Sequence, residues 1–249
     1  MKINKNNYLL KISYDGKNYS GWQVQPKVKT IQNYIEEGIK KIFPNQNIKI
    51  NGSGRTDAGV HANEQIANVV IDSEMKPEQL RRAINNYLPC DIYIHECNLV
   101  NKEFHARFSA KKRQYLYYIS SSYSPINRMY SWHCKWNLDK SKLEKCSEII
   151  IGEHNFSLLS KASSDVHNKI CIIFESEWIF SNSDICFKIT ANRFLQHMVR
   201  LLVGTMIEVG RGRISVNEFE KMLNNKEINF SSVRAPAEGL FLSKVFYDE

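Results

Sequence analysis

The sequence predicts an α+β protein made of two β-α-β-β-α-β halves, and three observations carry that reading. Strand-like alternation and helix-like periodicity follow one another in that order along the first half. The same order returns in the second half, without residue-level repetition. The helical segments carry apolar faces, which suits two ferredoxin-like halves forming an extended mixed or antiparallel sheet with helices packed on one face. The expected division is 1–105 and 106–249.

The elements follow from local patterns. Residues 8–14, YLLKISY, read as a strand. Residues 30–43 read as a helix, because Ile31, Ile35, Ile39 and Phe43 fall on one face with Tyr34 beside them. Short strands are expected over 47–52 and 64–71, joined by the loop NGSGRTDAGVHAN. A helix over 76–87 turns Leu80, Ala83, Ile84 and Tyr87 inward and stops before Pro89. A strand over 91–100 closes the first half. In the second half 113–120 is a strand and 140–151 a helix. Residues 169–179 and 184–190 pair around the turn Ser181-Asn182-Ser183. Residues 194–209 are apolar on most faces and read as a buried helix, 216–223 as an extra helix and 241–247 as the last strand.

Composition narrows the function classes. The 249 residues are 43% hydrophobic with no low-complexity tract, so the chain is globular throughout. A net charge of +8 with pI about 9.1 is compatible with an RNA or DNA partner, whose phosphates need Lys and Arg, and equally with a merely solvated basic surface. The opening MKINKNNYLLKISYDG is too polar for a secretory leader, and 194–209 is too short to span a bilayer. The six cysteines, at 90, 97, 134, 146, 171 and 186, show no zinc-type spacing and read as reduced thiols of a cytoplasmic protein.

The loop at 51–63 places Asp57 between Arg55 and His61 among Gly52, Gly54 and Gly59, where the expectation is that a Cβ would clash. It is no phosphate-binding loop, since G-x-x-x-x-G-K-[ST] is absent, and Ser53 is not in G-x-S-x-G. A glycosidase-type acid pair lacks its second carboxylate, because Glu64 is the nearest and follows a strand start. Metal binding by Asp57 and His61 lacks partners. Arg200 lies among Val199, Leu201, Leu202 and Val203, so its guanidinium points inward and needs an anion. That anion is either a structural carboxylate such as Glu208 or Asp184, or Asp57, whose ionised form the pairing would favour. In 113–119, RQYLYYI, alternation puts Arg113, Tyr115 and Tyr117 on one face, as core tyrosines or as a base-stacking tyrosine beside a phosphate-binding arginine.

Six blocks in register resemble the bacterial tRNA pseudouridine synthase A family over nearly the whole chain: SYDGKNYSGWQVQP (13–26), GRTDAGVHA (54–62), FHARFSA (104–110), RQYLYYI (113–119), FLQHMVRLLVGTMIEVG (194–210) and APAEGLFLSKVFY (235–247). The resemblance implies a tRNA pseudouridine synthase that isomerises uridine at positions 38, 39 and 40 of the anticodon arm. Asp57 matches the nucleophile, Tyr115 the tyrosine that stacks on the base and moves a proton, and Arg200 the arginine paired with the aspartate. Arg55 matches the residue that holds the nucleotide out of the stack, and Arg113 and His61 are candidate substrate-binding residues, with support of the loop by a backbone hydrogen bond as the alternative for His61. It implies a homodimer clasping tRNA, with neither metal nor cofactor, no membrane and no DNA partner. Cys171 stands where many members carry arginine, and 121–130 and 160–169 diverge, which leaves open a paralogous target on another tRNA or ribosomal RNA position. A non-catalytic tRNA-binding protein would share the charge and the sheet but has no use for the carboxylate. An aspartate-dependent hydrolase would lack its second acid or metal set.

Overall fold

In the computed structural model, which describes residues 5–162, 166–182, 184–224 and 230–248, the alternating run near the N-terminus forms β1 (Lys5–Tyr14). It is followed by α1 (Ile31–Ile42), β2 (Ile50–Gly52), β3 (His61–Asp72), α2 (Pro77–Asn85) and β4 (Ile92–Val100). β1 runs antiparallel to β3, with Tyr8 opposite Val69, and to β4, with Leu10 opposite Cys97. β2 lies antiparallel to β3, with Asn51 opposite Asn68. The order β4-β1-β3-β2 is that of a ferredoxin-like half.

The period of two in β1 decides where the core of this half lies. Tyr8, Leu10, Ile12 and Tyr14 are buried, while Leu9, Lys11 and Ser13 between them stay half-buried. The amphipathic faces of α1 and α2 supply Ile31, Ile35, Ile39, Leu80 and Ile84 to the buried set. Each such isoleucine contributes about 1.5–3 kcal/mol of transfer free energy. Lys40 and Lys41 complement the dipole in the last turn of α1. Tyr87, expected inward, is 47% exposed: α2 ends at Asn85, so its buried face stops before Tyr87, whose ring lies under the Lys41 ammonium. Ala83 and Phe43 are half-buried, Phe43 because it caps α1 rather than continuing it.

The second half holds β5 (Lys112–Ser120), β6 (Trp132–His133), α3 (Lys140–Ile149), β7 (Gly152–Asn155), β8 (Ile170–Phe180), β9 (Asp184–Ala191), α4 (Met198–Gly210), α5 (Val216–Leu223) and β10 (Leu240–Phe246). β5, β9, β8 and β7 are neighbours in that order and antiparallel, with Tyr115 opposite Ile189 and Trp178 opposite Phe187. β6 runs parallel to β5. The Tyr118 N–H donates to Gly239 O at 2.8 Å, so β10 sets out beside β5, and the second β-α-β-β-α-β order takes the same arrangement as the first. The α+β reading therefore holds. β6 and β7 were not foreseen, because two and four residues are too few to show a period. Ser183 of the expected turn and 163–165 of the divergent 160–169 segment lie outside the described residues.

By contacts the chain divides into Met1–Lys111 with Leu242–Glu249, and Lys112–Phe241. The boundary falls a few residues beyond the 105/106 of the sequence reading. The chain end is held to the first unit by Lys111 N–H, which donates to Phe246 O at 2.8 Å, and by an ion pair of Lys111 with Asp248 at 2.8 Å. All six cysteines are free, and burial pushes the Cys97 and Cys146 thiols up to about 12.

α4 is buried along nearly its whole length, as its composition demands. It starts at Met198 rather than 194, because His197 takes a left-handed φ of 65° at the N-cap and breaks the helical path. The segment 233–235 runs against it: Val233 N–H donates to Thr205 Oγ1 at 3.2 Å, and Ala235 N–H to Arg200 O at 2.9 Å. Only glycine fits beneath, since a Cβ on Gly204 would stand 2.2 Å from Val233 O. Gly204→Ala is expected to cost about 1–3 kcal/mol of stability, measured by urea unfolding; an unchanged midpoint would show that 233–235 yields freely.

Candidate active site

The Asp57 loop connects β2 to β3, and beyond Ser53, whose N–H still bonds β3, its backbone groups must be met by something other than strand pairing. Ser53 N–H donates to Ile66 O at 2.7 Å, and Ser53 Oγ donates to Gln65 Oε1 at 2.6 Å. Gln65, fully buried on β3, returns its amide to Gly54 O at 2.9 Å. The rest comes from the segment after β1. Trp22 N–H donates to Thr56 O at 3.1 Å, Gly59 N–H to Tyr19 O at 3.2 Å, and the Tyr14 and Thr56 hydroxyls meet at 2.8 Å. Burial raises the Tyr14 phenol well above its ordinary value, so it stays protonated and able to donate. Tyr19 is in turn tied by its hydroxyl to Asp91 at 2.5 Å.

These bonds present Asp57 at the head of a turn. Its carbonyl accepts from Val60 N–H at 3.2 Å, and Gly59 inside the turn has a φ of 77°, which an L side chain resists. The clash argument holds at Gly52, where a Cβ would meet the Trp22 ring at 2.6 Å. It fails at Gly54, where nothing lies within 4 Å of such a Cβ. Asp57 is half-buried, Thr56 before it is buried, and Arg55 is exposed. Among the described residues Arg55 makes no hydrogen bond or ion pair, so its guanidinium is available.

His61 is only 1% exposed. Its Nδ1 lies 3.1 Å from Gly16 N and 3.0 Å from Asp15 Oδ1, and one atom cannot accept from the first while donating to the second. The Gly16 N–H is directed at Nδ1, which makes Nδ1 the acceptor and the Asp15 approach secondary. In that tautomer the ring holds the first loop against the start of β3.

In the second unit, alternation along β5 buries Tyr115 and Tyr117 on one face. The Tyr115 ring meets Phe194 edge-on at 5.0 Å. Tyr117 donates its hydroxyl to Pro236 O at 2.9 Å; burial foremost, then Glu238, raises its phenol, against the opposing effect of Arg200. Arg113 is half-buried and donates to Asn192 O at 2.9 Å. Arg200 sits in the first turn of α4, half-buried rather than enclosed, with Nε donating to Ala235 O at 2.8 Å. Neither structural carboxylate considered for it serves: Glu208 is bound by Arg211 at 2.6 Å and Arg213 at 3.5 Å, and Asp184 is exposed at the start of β9. Cys171 is fully buried on β8, opposite His154, so it offers no surface to a ligand. Residues 121–130 are largely exposed, Tyr123 and Ile126 most of all. Among the described residues no group of three or more His, Cys, Asp or Glu could hold a metal ion, and no helix is long and apolar enough to cross a membrane.

The polar scaffold of Tyr14, Thr56 and Gln65 had no legible role in the sequence, and nothing there marked Trp22 as the group that a Cβ on Gly52 would meet.

Comparison with known proteins places the chain among RNA-modifying isomerases. The profile of the family described as tRNA pseudouridine synthase matches residues 11–109 and 147–248, and the chain belongs to that family. A protein named tRNA pseudouridine synthase A from Caldicellulosiruptor saccharolyticus is 40% identical over 243 residues, covering 97% of this chain and 99% of its own. Proteins of the same name from Chlorobium limicola and Lacticaseibacillus casei are 38% and 36% identical, over 95% and 96% of this chain and 97% and 99% of theirs. The profile match leaves out 110–146, which holds Arg113, Tyr115 and the 121–130 segment.

Tyr14→Phe removes the partner of a buried hydroxyl and is expected to cost about 1–3 kcal/mol, read by urea unfolding. Amide exchange at Gly59 and Val60 should speed up with it; unchanged exchange there would mean that Tyr14 does not hold the loop.

Proposed function

We infer that this chain converts uridine to pseudouridine in the anticodon arm of tRNA, at positions 38, 39 and 40, with Asp57 as the nucleophile. The observation that carries the reading is the Asp57 turn itself. The turn that carries the half-buried Asp57 is held by backbone hydrogen bonds, an exposed Arg55 with no hydrogen bond or ion pair among the described residues stands two residues before it, and open space adjoins Gly54. Family membership supplies the reaction class.

The chemistry needs such a turn. A uridine in a stem cannot react while stacked, and extruding it costs a few kcal/mol. Arg55 is free to occupy the vacated place or hold the displaced phosphate, and the space beside Gly54 lets the extruded nucleotide approach. Asp57 attacks the base or the sugar, the bond from N1 to C1′ breaks, the base turns, C5 bonds to C1′, and the bond to Asp57 breaks, which restores its carboxylate. N1 gains a proton and C5 loses one, so product and substrate are isomers and no redox partner is consumed. Tyr115 and Arg200 take the roles that the resemblance gives them: stacking and proton transfer for the first, charge compensation for the second. Arg113 and His61 act as supports, through the Asn192 carbonyl and the Gly16 amide. The protein works as a cytoplasmic homodimer on tRNA.

Purified protein incubated with unmodified tRNA transcripts, without metal or nucleotide, is expected to form pseudouridine at 38 to 40. Asp57→Asn should keep tRNA affinity and lose at least about 10³-fold in rate; turnover near wild type would remove Asp57 as nucleophile. Pseudouridine elsewhere on the transcript would move the substrate and leave the chemistry. Binding without any conversion would favour a tRNA-binding protein. Tyr115→Phe should lower the rate constant of conversion by about 10²-fold or more with little change in binding; the reverse split would make Tyr115 a stacking platform only.

A further inference from the structure

One buried polar cluster plays no part in the Asp57 loop. Asn7 on β1 and Asn68 on β3 are each only 2% exposed, in strand interiors where asparagine is disfavoured and where an unbonded amide would be costly. They are bonded to each other, Asn68 Nδ2 donating to Asn7 Oδ1 at 3.0 Å. Their remaining capacity goes to one turn. Asn7 Nδ2 donates to Asn101 O and Phe104 O, both at 2.9 Å, and Ala106 N–H donates to Asn68 Oδ1 at 2.9 Å. Tyr247, near the chain end, donates to Ala106 O at 2.8 Å and packs its ring on Phe104 at 5.2 Å. Inside the turn Ser109 N–H donates to His105 O at 2.9 Å, His105 N–H to Ser109 Oγ at 3.1 Å, and Arg107 N–H to His105 Nδ1 at 3.1 Å.

So elaborate a footing presents one apolar ring to water. Phe108 is 75% exposed, with the His105 ring 4.4 Å from it and the Arg107 guanidinium 5.6 Å over it. A single exposed phenylalanine is ordinary on a protein surface. A ring carried on a turn whose backbone is held by buried asparagines, and flanked by imidazole and guanidinium, is a prepared stacking surface. The charge of the same segment selects the occupant: NKEFHARFSAK (101–111) carries Lys102, Arg107 and Lys111 against Glu103, with Lys111 also paired to Asp248. Aromatic faces interleaved with cations take a nucleobase and its phosphate.

We propose that Phe108, with His105 and Arg107, is a stacking platform for an unpaired base of the RNA substrate. This rests on the tRNA-modifying reading above. The platform makes Phe108 a substrate-positioning residue separate from the Asp57 turn: it orders the RNA and takes no part in bond exchange. Because the ring is exposed, its removal leaves the fold intact, whereas removal of Asn68 would free the whole turn.

The test measures tRNA affinity by filter binding for wild type, Phe108→Ala and Phe108→Trp, with melting temperature and molecular mass by light scattering. Phe108→Ala is expected to bind about 5- to 100-fold more weakly, with melting and mass unchanged. Its conversion rate at saturating tRNA should stay near wild type, so that KM rises and kcat does not. Phe108→Trp should restore affinity, and its added fluorescence should be quenched by tRNA. Wild-type affinity in Phe108→Ala overturns the platform. So does a fall in mass that accounts for the lost affinity, which would make the ring a contact between protein chains. Wild-type protein that neither binds nor converts tRNA overturns the functional reading and the platform with it, an outcome distinguished by the wild-type control.

Discussion

The loop that carries Asp57 leaves the strand pairing of β2 and β3, and its backbone still needs partners. In this protein the segment 14–22 supplies them. Thr56 O takes the Trp22 amide, Tyr19 O takes the Gly59 amide, and the Tyr14 hydroxyl meets that of Thr56. Each such bond is worth only about 0.5–1.5 kcal/mol net, yet leaving one buried group unbonded would cost more than making it gains. The Asp57 turn is therefore defined by the satisfaction of its neighbours. Trp22 stacking against Gly52, and Gly16 N–H reaching His61, belong to the same closure.

The two faces of the first sheet are put to different uses. On β1, alternation gives one face to the buried Tyr8, Leu10, Ile12 and Tyr14. The other face holds an ion pair of Lys11 with Glu64 at 3.0 Å and the Asn7–Asn68 pair. The asparagines do not stabilise the sheet as apolar residues would; what they gain is a fixed turn at 101–110. Two stretches of irregular backbone are thus held by amides rising from one sheet, Gln65 serving the first and Asn7 with Asn68 the second.

In the second unit, close approach of backbones does comparable work. Gly204 lets 233–235 lie directly on α4, and Ala235 then exchanges two hydrogen bonds with Arg200, one through the backbone and one through Nε. The guanidinium is oriented by a carbonyl that arrives from far along the chain. Tyr117 is fixed by the neighbouring Pro236 carbonyl in the same way.

The sequence by itself determined the elements with a long enough period: the buried face of α1, the alternation of β1 and β5, and the burial of α4. It also pointed to Asp57, Arg55 and Arg200 as charges in unusual company, since an arginine among apolar residues or an aspartate in a glycine-rich turn is visible locally. Tertiary structure alone decided which groups meet. Glu208 answers Arg211 and Arg213 instead of Arg200, His61 accepts from Gly16, and Gln65, Asn7 and Asn68 hold loops rather than weaken strands. It also decided where α4 begins, through the left-handed His197, and that Tyr87 faces water. The reason is physical. Burial of one face repeats every 2 or 3.6 residues and is written into neighbours along the chain, whereas a polar group is satisfied by whichever donor or acceptor the fold brings to it, and for Asn68 and Tyr117 those lie dozens of residues away or more.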